Sequence, residues 1–144
     1  MIFRLLGIRM PIQDIMTTNL VVVTMDTDVD QLQSYFDNLK IHHLIVAQDN
    51  ILKGIISDRD VLRCVSPYAG TAAEIERDTR TLQKRAHQIM TRNPFTVCKS
   101  DSIKKAARII IEKNVGCLPV VDENSRLLGI VTWRDVFAYG LRDT

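Results

Sequence analysis

The chain is 144 residues long, about the size of one domain, and its 46% apolar and 25% charged residues are globular values that exclude a disordered chain. A formal net charge of +2 does not announce a nucleic-acid partner, and it leaves room for a small anionic ligand. No apolar run reaches the length of a membrane span, and residues 1–9 are interrupted by Arg4 with no cleavage pattern after them, so we expect no signal peptide, no membrane and a cytoplasmic protein.

In chain order, residues 20–24 form a Val-rich run that reads as a buried strand. Asp26, Thr27 or Asp28 can cap the next element, where Val29, Leu32, Phe36 and Leu39 recur at helical spacing. Residues 43–47 predict a second strand, Gln48-Asp49-Asn50 a turn, residues 52–56 a third strand, and a helix starts near Asp58. Ser66-Pro67-Tyr68-Ala69-Gly70 breaks the pattern. Thr71-x-x-Glu74 has the form of a capping box and predicts an extra helix over residues 71–85. The series then restarts, with a strand at 95–98 and a helix capped by Ser100, Asp101 or Ser102 whose inner face carries Ile103, Ala106, Ala107 and Ile110. Strands at 117–121 and 127–131 follow, and a last helix begins at Trp133.

The restart is a repeat. Ile15-Met16-Thr17-Thr18-Asn19 returns 74 residues later as Ile89-Met90-Thr91-Arg92-Asn93. Gly54-Ile55-Ile56-Ser57-Asp58-Arg59-Asp60 returns as Gly129-Ile130-Val131-Thr132-Trp133-Arg134-Asp135. Each copy is β-α-β-β-α and too short to bury a sufficient core comfortably, so the two copies are expected to share one. The expected organisation is α/β (α+β): repeat one over 12–64, a linker with its helix over 65–85, and repeat two over 86–141.

The duplicated Gly-Ile-x-Ser/Thr-x-x-Asp motif falls where the third strand gives way to the last helix. Unpaired N–H groups at a helix start suit a phosphate. Ser57 or Thr132 adds a hydroxyl there, and the carboxylate of Asp60 or Asp135 can accept both hydroxyls of a ribose diol. The same spacing is also a capping box, and both readings stand on the residues alone. The three cysteines, Cys64, Cys98 and Cys117, form no CxxC and read as buried small hydrophobes, the last two in strands. The pair His42-His43 points to opposite faces of a strand, lacks a third ligand, and predicts no metal site. The basic patch Arg77, Arg80, Lys84, Arg85 and Arg92 lacks interleaved aromatics, so nucleic acid is not expected.

The paired units, the Ile-Met-Thr openings, Gly116-Cys117-Leu118-Pro119-Val120-Val121-Asp122 and Gly129-Ile130-Val131-Thr132-Trp133-Arg134-Asp135 resemble a cystathionine-β-synthase (CBS) domain pair, the Bateman module. The resemblance implies a stand-alone pair of pseudo-two-fold repeats with two clefts that bind adenosine-containing ligands: AMP, ADP, ATP, S-adenosylmethionine and, in some members, NAD. It implies one cleft from Ser57 and Asp60 with Phe95, Val115, Gly116 and Cys117. It implies another from Thr132 and Asp135 with Asn19, Val21, Ile41, His42 and His43. At His42-His43 the sequence departs from the small residues and proline usual there. The expectation is a regulatory, non-enzymatic ligand sensor that needs no cofactor and signals to an unidentified protein target. It is expected to form a homodimer, with Tyr35, Trp133, Phe137 and Tyr139 as contributors. The alternative is a dimerisation or partner-regulating scaffold whose clefts bind nothing.

Overall fold

The computed structural model describes residues 10–142. The stretch 1–9, on which the signal-peptide expectation rested, lies outside them. The protein is a mixed α+β chain that divides into two compact units. Each unit carries its own buried cluster, where the size of the repeats suggested a shared one.

One unit is Val21–Asn93. It contains β1 (Val22–Val23), α1 (Val29–Asn38), β2 (His43–Gln48), β3 (Ile51–Ser57), α2 (Asp58–Cys64), α3 (Glu76–Leu82), α4 (Ala86–Ile89) and β4 (Thr91–Arg92). The sheet order is β1-β2-β3-β4, with β1 parallel to β2 and the other pairs antiparallel. Among the three predicted caps Asp28 is used, its Oδ1 accepting the Gln31 N–H at 2.8 Å. This satisfies one of the orphan donors of the first turn of α1. Val29 and Leu32 then face a core of Val23, Leu44, Val46, Ile56 and Val61, with Tyr35 and Phe36 packed at its edge. The β2–β3 hairpin turns on Asp49 and Asn50 at φ 51° and 63°. Asn and Asp tolerate that left-handed region better than other side chains, and a tight hairpin requires it.

The linker helix α3 is shorter than the predicted 71–85, and Thr71 and Glu74 do not cap it. Thr71 Oγ1 instead donates to the Tyr68 carbonyl at 2.6 Å, while the Glu74 carboxylate accepts from Gly70 N–H and Thr79 Oγ1. The buried Asp78 does the capping. Its Oδ2 accepts the Ile75 N–H at 3.0 Å and its Oδ1 accepts the Ser66 hydroxyl at 2.7 Å. A sequence pattern shows which residues can cap, but the path of the Ser66–Gly70 segment decides which one does.

The other unit comprises Met1–Leu20 and Pro94–Thr144. Its elements are α5 (Ile103–Lys113), β5 (Cys117–Val121), β6 (Leu127–Thr132) and α6 (Trp133–Arg142). Ser102 caps α5, accepting the Lys105 N–H at 3.1 Å, and Asn114 closes it at φ 52°. The core is Ile12, Val97, Ala106, Leu118, Val120 and Val131. The strand predicted at 95–98 reduces to a single parallel bridge, Val97 to Val120. Cys98 is consequently exposed, whereas Cys117 is buried and Cys64 half-buried, which corrects the reading of all three as buried.

Each Ile-Met-Thr opening completes the sheet of the other copy. β4, from the second opening, pairs with Gly54 and Ile55 of β3. Thr17, from the first, exchanges two hydrogen bonds with Ile130 of β6 at 2.8 and 2.9 Å. The motif glycines make room for these segments. A Cβ on Gly54 would lie 2.8 Å from the Thr91 carbonyl oxygen and 2.7 Å from Met90 Sδ. A Cβ on Gly129 would lie 2.9 Å from the Thr17 carbonyl oxygen and 3.0 Å from Met16 Sδ.

Candidate functional site

Both copies of the duplicated motif form reciprocal caps at a strand-to-helix junction. Asp60 Oδ2 accepts the Ser57 N–H at 2.8 Å, and Ser57 Oγ accepts the Asp60 N–H at 3.2 Å. Asp135 Oδ2 accepts the Thr132 N–H at 2.7 Å and the Thr132 hydroxyl at 3.0 Å, and Thr132 Oγ1 accepts the Asp135 N–H at 3.3 Å. All four residues are half-buried. In both carboxylates the cap uses Oδ2, and Oδ1 takes no hydrogen bond among the described residues. A carboxylate has acceptor capacity on both oxygens, so the cap leaves Oδ1 available for a ligand hydroxyl.

The hairpin register brings the entrance of the second strand of each copy to its own motif. In Val21–Asn93, His43 lies opposite Ser57, and the Asp58 N–H donates to the His42 carbonyl at 3.1 Å. Likewise Cys117 lies opposite Thr132, and the Trp133 N–H donates to the Gly116 carbonyl at 3.1 Å. Val21, Ile41 and Val115 are half-buried at the edges of their cores. Asn19 is exposed, and Phe95 is exposed with Lys113 Nζ 5.4 Å from its ring centre. The two residue groups expected to make clefts each draw on both compact units.

Asp58 was missed at the sequence level. Its Oδ2 sits 2.9 Å from His42 Nδ1, joining the strand entrance to the first turn of α2. The readable signal was an acid one residue after Ser57, beside two histidines. Burial pulls the Asp58 carboxyl upward, but hydrogen bonds from His42 and from the Arg59 N–H outweigh it and hold the group below its ordinary range. At His43, by contrast, burial prevails, pulling the imidazole below its ordinary 6.5 against the opposing pull of Asp58 and Asp60, with His42 and Arg59 adding to the lowering. A lowered folded-state value means that the neutral ring stabilises the fold fully above pH 6.5. That contribution is lost as pH falls through the lowered value. Melting curves from pH 7.5 to 5 should therefore show the wild type losing stability more steeply than His43→Gln; parallel curves would remove the effect. Cys117 is pushed up to about 12 by burial, so its thiol stays protonated and packs as a small apolar group.

A pocket of about 150 Å³ opens beside the second motif, lined by Asp14, Ile15, Met16, Asp135, Ala138, Tyr139 and Arg142. Drug-sized ligands occupy roughly 300–1,000 Å³, so this pocket alone is too small for a nucleotide. Among the described residues, no three His, Cys, Asp or Glu side chains converge as a metal site, and no helix is long and apolar enough to cross a membrane.

The family described as CBS domain matches this chain twice, over residues 12–67 and 86–142. The chain belongs to the CBS domain family. It is 35% identical over 127 residues to a CBS domain-containing protein of Dictyostelium discoideum, covering 87% of each. It is 30% identical over 129 residues to the uncharacterised protein MJ1225 of Methanocaldococcus jannaschii, covering 89% of this chain and 46% of that protein. The CBS pair thus spans less than half the length of that archaeal relative. Among solved structures, CBSX2 in complex with AMP superposes with a TM-score of 0.77 at 32% identity, covering 92% of this chain and 96% of that one. CBSX2 is a protein of Arabidopsis thaliana.

Proposed function

We propose that this CBS pair is a regulatory module that binds an adenosine nucleotide of the AMP class and passes its occupancy to a protein partner. The observation that supports the reading is the pair of Ser/Thr-x-x-Asp caps, each of which uses one carboxylate oxygen and leaves the other without a hydrogen bond among the described residues. It is supported by likeness over nearly the whole chain to a protein crystallised with AMP. Asp60 and Asp135 grip the ribose, and Ser57 and Thr132 lie on the phosphate side. Phe95, Val115, Gly116 and Cys117 form one adenine wall, and Asn19, Val21, Ile41, His42 and His43 form the other. The role is binding rather than catalysis, with no cofactor required. The working form is a homodimer, which gives exposed Trp133 and Phe137 a partner surface.

One observation favours a scaffold with a closed site. The His42–Asp58 bond ties the strand entrance of the first copy to its helix, where the second copy has Gly116 and Trp133. The two readings part in a melting experiment. A ligand at 100 times its dissociation constant stabilises by about 2.7 kcal/mol, on the order of 8 °C for a chain of this size. AMP, ADP, ATP and S-adenosylmethionine are added separately, and at least one should produce that shift. If the melting temperature does not move with any of them, the scaffold reading stands.

A further inference from the structure

The pocket beside Asp135 lies wholly within one compact unit, and its walls are held in place. Asp14, Ile15 and Met16 form one wall. That segment is pinned before and after. Ile12 is buried and its N–H donates to the Asp101 carbonyl at 2.8 Å, while Thr17 is bonded to Ile130 on β6. The other wall is one face of α6, where Asp135, Ala138, Tyr139 and Arg142 follow at i, i+3, i+4 and i+7. Because α6 leaves β6 through the Thr132–Asp135 cap, both walls are anchored to the same strand. The carboxylate of Asp14 and the guanidinium of Arg142 line this pocket together, and neither forms an ion pair or a side-chain hydrogen bond among the described residues. The charged pair belongs to one copy of the repeat. In the other copy Gln88 stands at the position of Asp14, and α2 ends at Cys64, the counterpart of Tyr139, so that helix offers no counterpart of Arg142.

We infer that this pocket is a subsite for an α-amino acid group, with Asp14 holding the ammonium and Arg142 the carboxylate. A guest that satisfies both side chains carries a cation and an anion a short way apart, which is the chemistry of that group. A guanidinium takes a carboxylate through parallel N–H donors, and a carboxylate accepts from an ammonium. Ile15, Met16 and Ala138 give apolar surface to the carbon stem. A volume of about 150 Å³ is roughly five waters' worth, which admits the amino-acid group and a short stem but not a nucleotide. The group arrives as a free amino acid or as the tail of an adenosine whose ribose Asp135 holds. The second source rests on the ribose reading above and deepens it, because it gives the second motif a ligand class that the first is not built to take.

The test is isothermal titration of the full chain with S-adenosylhomocysteine, 5′-methylthioadenosine, AMP and L-methionine. The first two share an adenosine thioether, and only the first carries the amino-acid group. S-adenosylhomocysteine should bind at least about tenfold more tightly than 5′-methylthioadenosine, the effect of added hydrogen bonds between charged groups. Asp14→Asn and Arg142→Gln should each remove most of that advantage and leave 5′-methylthioadenosine and AMP binding as in wild type. Both positions are exposed, so the variants should melt at the wild-type temperature. If no adenosine compound binds but L-methionine does, and both variants lose it, the free amino acid is the guest and the nucleotide reading alone falls. If AMP or 5′-methylthioadenosine binds while S-adenosylhomocysteine gains nothing and L-methionine does not bind, the subsite is overturned and the nucleotide reading stands. An advantage that survives both substitutions, or a loss spread equally over every adenosine compound, also overturns the subsite. No binding by any of the four compounds overturns both.

Discussion

Asp135→Ala and Asp60→Ala should each weaken nucleotide binding by roughly 1.5–3 kcal/mol, about 10- to 150-fold, because a charge-assisted hydrogen bond to the ribose is lost from a half-buried site. Each substitution also removes an acceptor from a helix cap, since Oδ2 holds the Ser57 or Thr132 N–H. That loss alone lowers stability by about 1 kcal/mol with or without ligand. The two effects separate with asparagine. Asp60→Asn or Asp135→Asn keeps a carbonyl oxygen for the cap but lacks the charge and the second acceptor. Isothermal titration should show Asp→Asn losing affinity nearly as Asp→Ala does, while its unliganded melting temperature stays close to wild type. If Asp→Asn binds as tightly as wild type, the carboxylates serve the caps and not the ribose. With Asp60 and Asp135 varied one at a time, the titration also counts the sites.

The second large effect is expected at the motif glycines. Gly54→Val and Gly129→Val should each destabilise by about 1–3 kcal/mol or more, the range for overpacking. A Cβ at either position meets a backbone carbonyl at 2.8 or 2.9 Å, and backbone moves less readily than the methionine side chain beside it. Detachment of the Met-Thr segment relieves the clash, so the prediction extends to local opening. Hydrogen exchange at Thr17 should accelerate in Gly129→Val, and exchange at Arg92 and Thr91 should accelerate in Gly54→Val. A variant that melts at the wild-type temperature with unchanged exchange would show that the close approach does not govern these positions.

The glycines show how the site's meaning was shared between sequence and structure. A glycine inside a strand, as at Gly54 and Gly129, is compatible with either a close backbone approach or a bend. The structure shows a close approach, made by the chain's own Met-Thr segments. Similarly, Ser57-x-x-Asp60 and Thr132-x-x-Asp135 were legible as capping boxes or as ligand grips, and the geometry shows the caps formed with one oxygen used. The first opening packing against β6, and the second against β3, left no trace in the periodicity. Hydrophobic patterning records which face of an element is buried, but not which copy buries it, because the two copies carry nearly the same apolar pattern.

What the amino-acid order determined by itself was the repeat, the β-α-β-β-α series and the family, since each rests on local spacing that survives in any register: Val29 and Leu32 on one helix face, Asp49-Asn50 at a tight turn, and the same motif twice. Only the tertiary structure decided that Asp78 and not Glu74 caps the linker helix, that residues 95–98 leave the sheet after Val97, that Asp58 reaches His42, and that each Met-Thr segment crosses to the other copy's sheet. Those outcomes depend on contacts between residues far apart in the chain, where several side chains satisfy the same local rule and packing selects one.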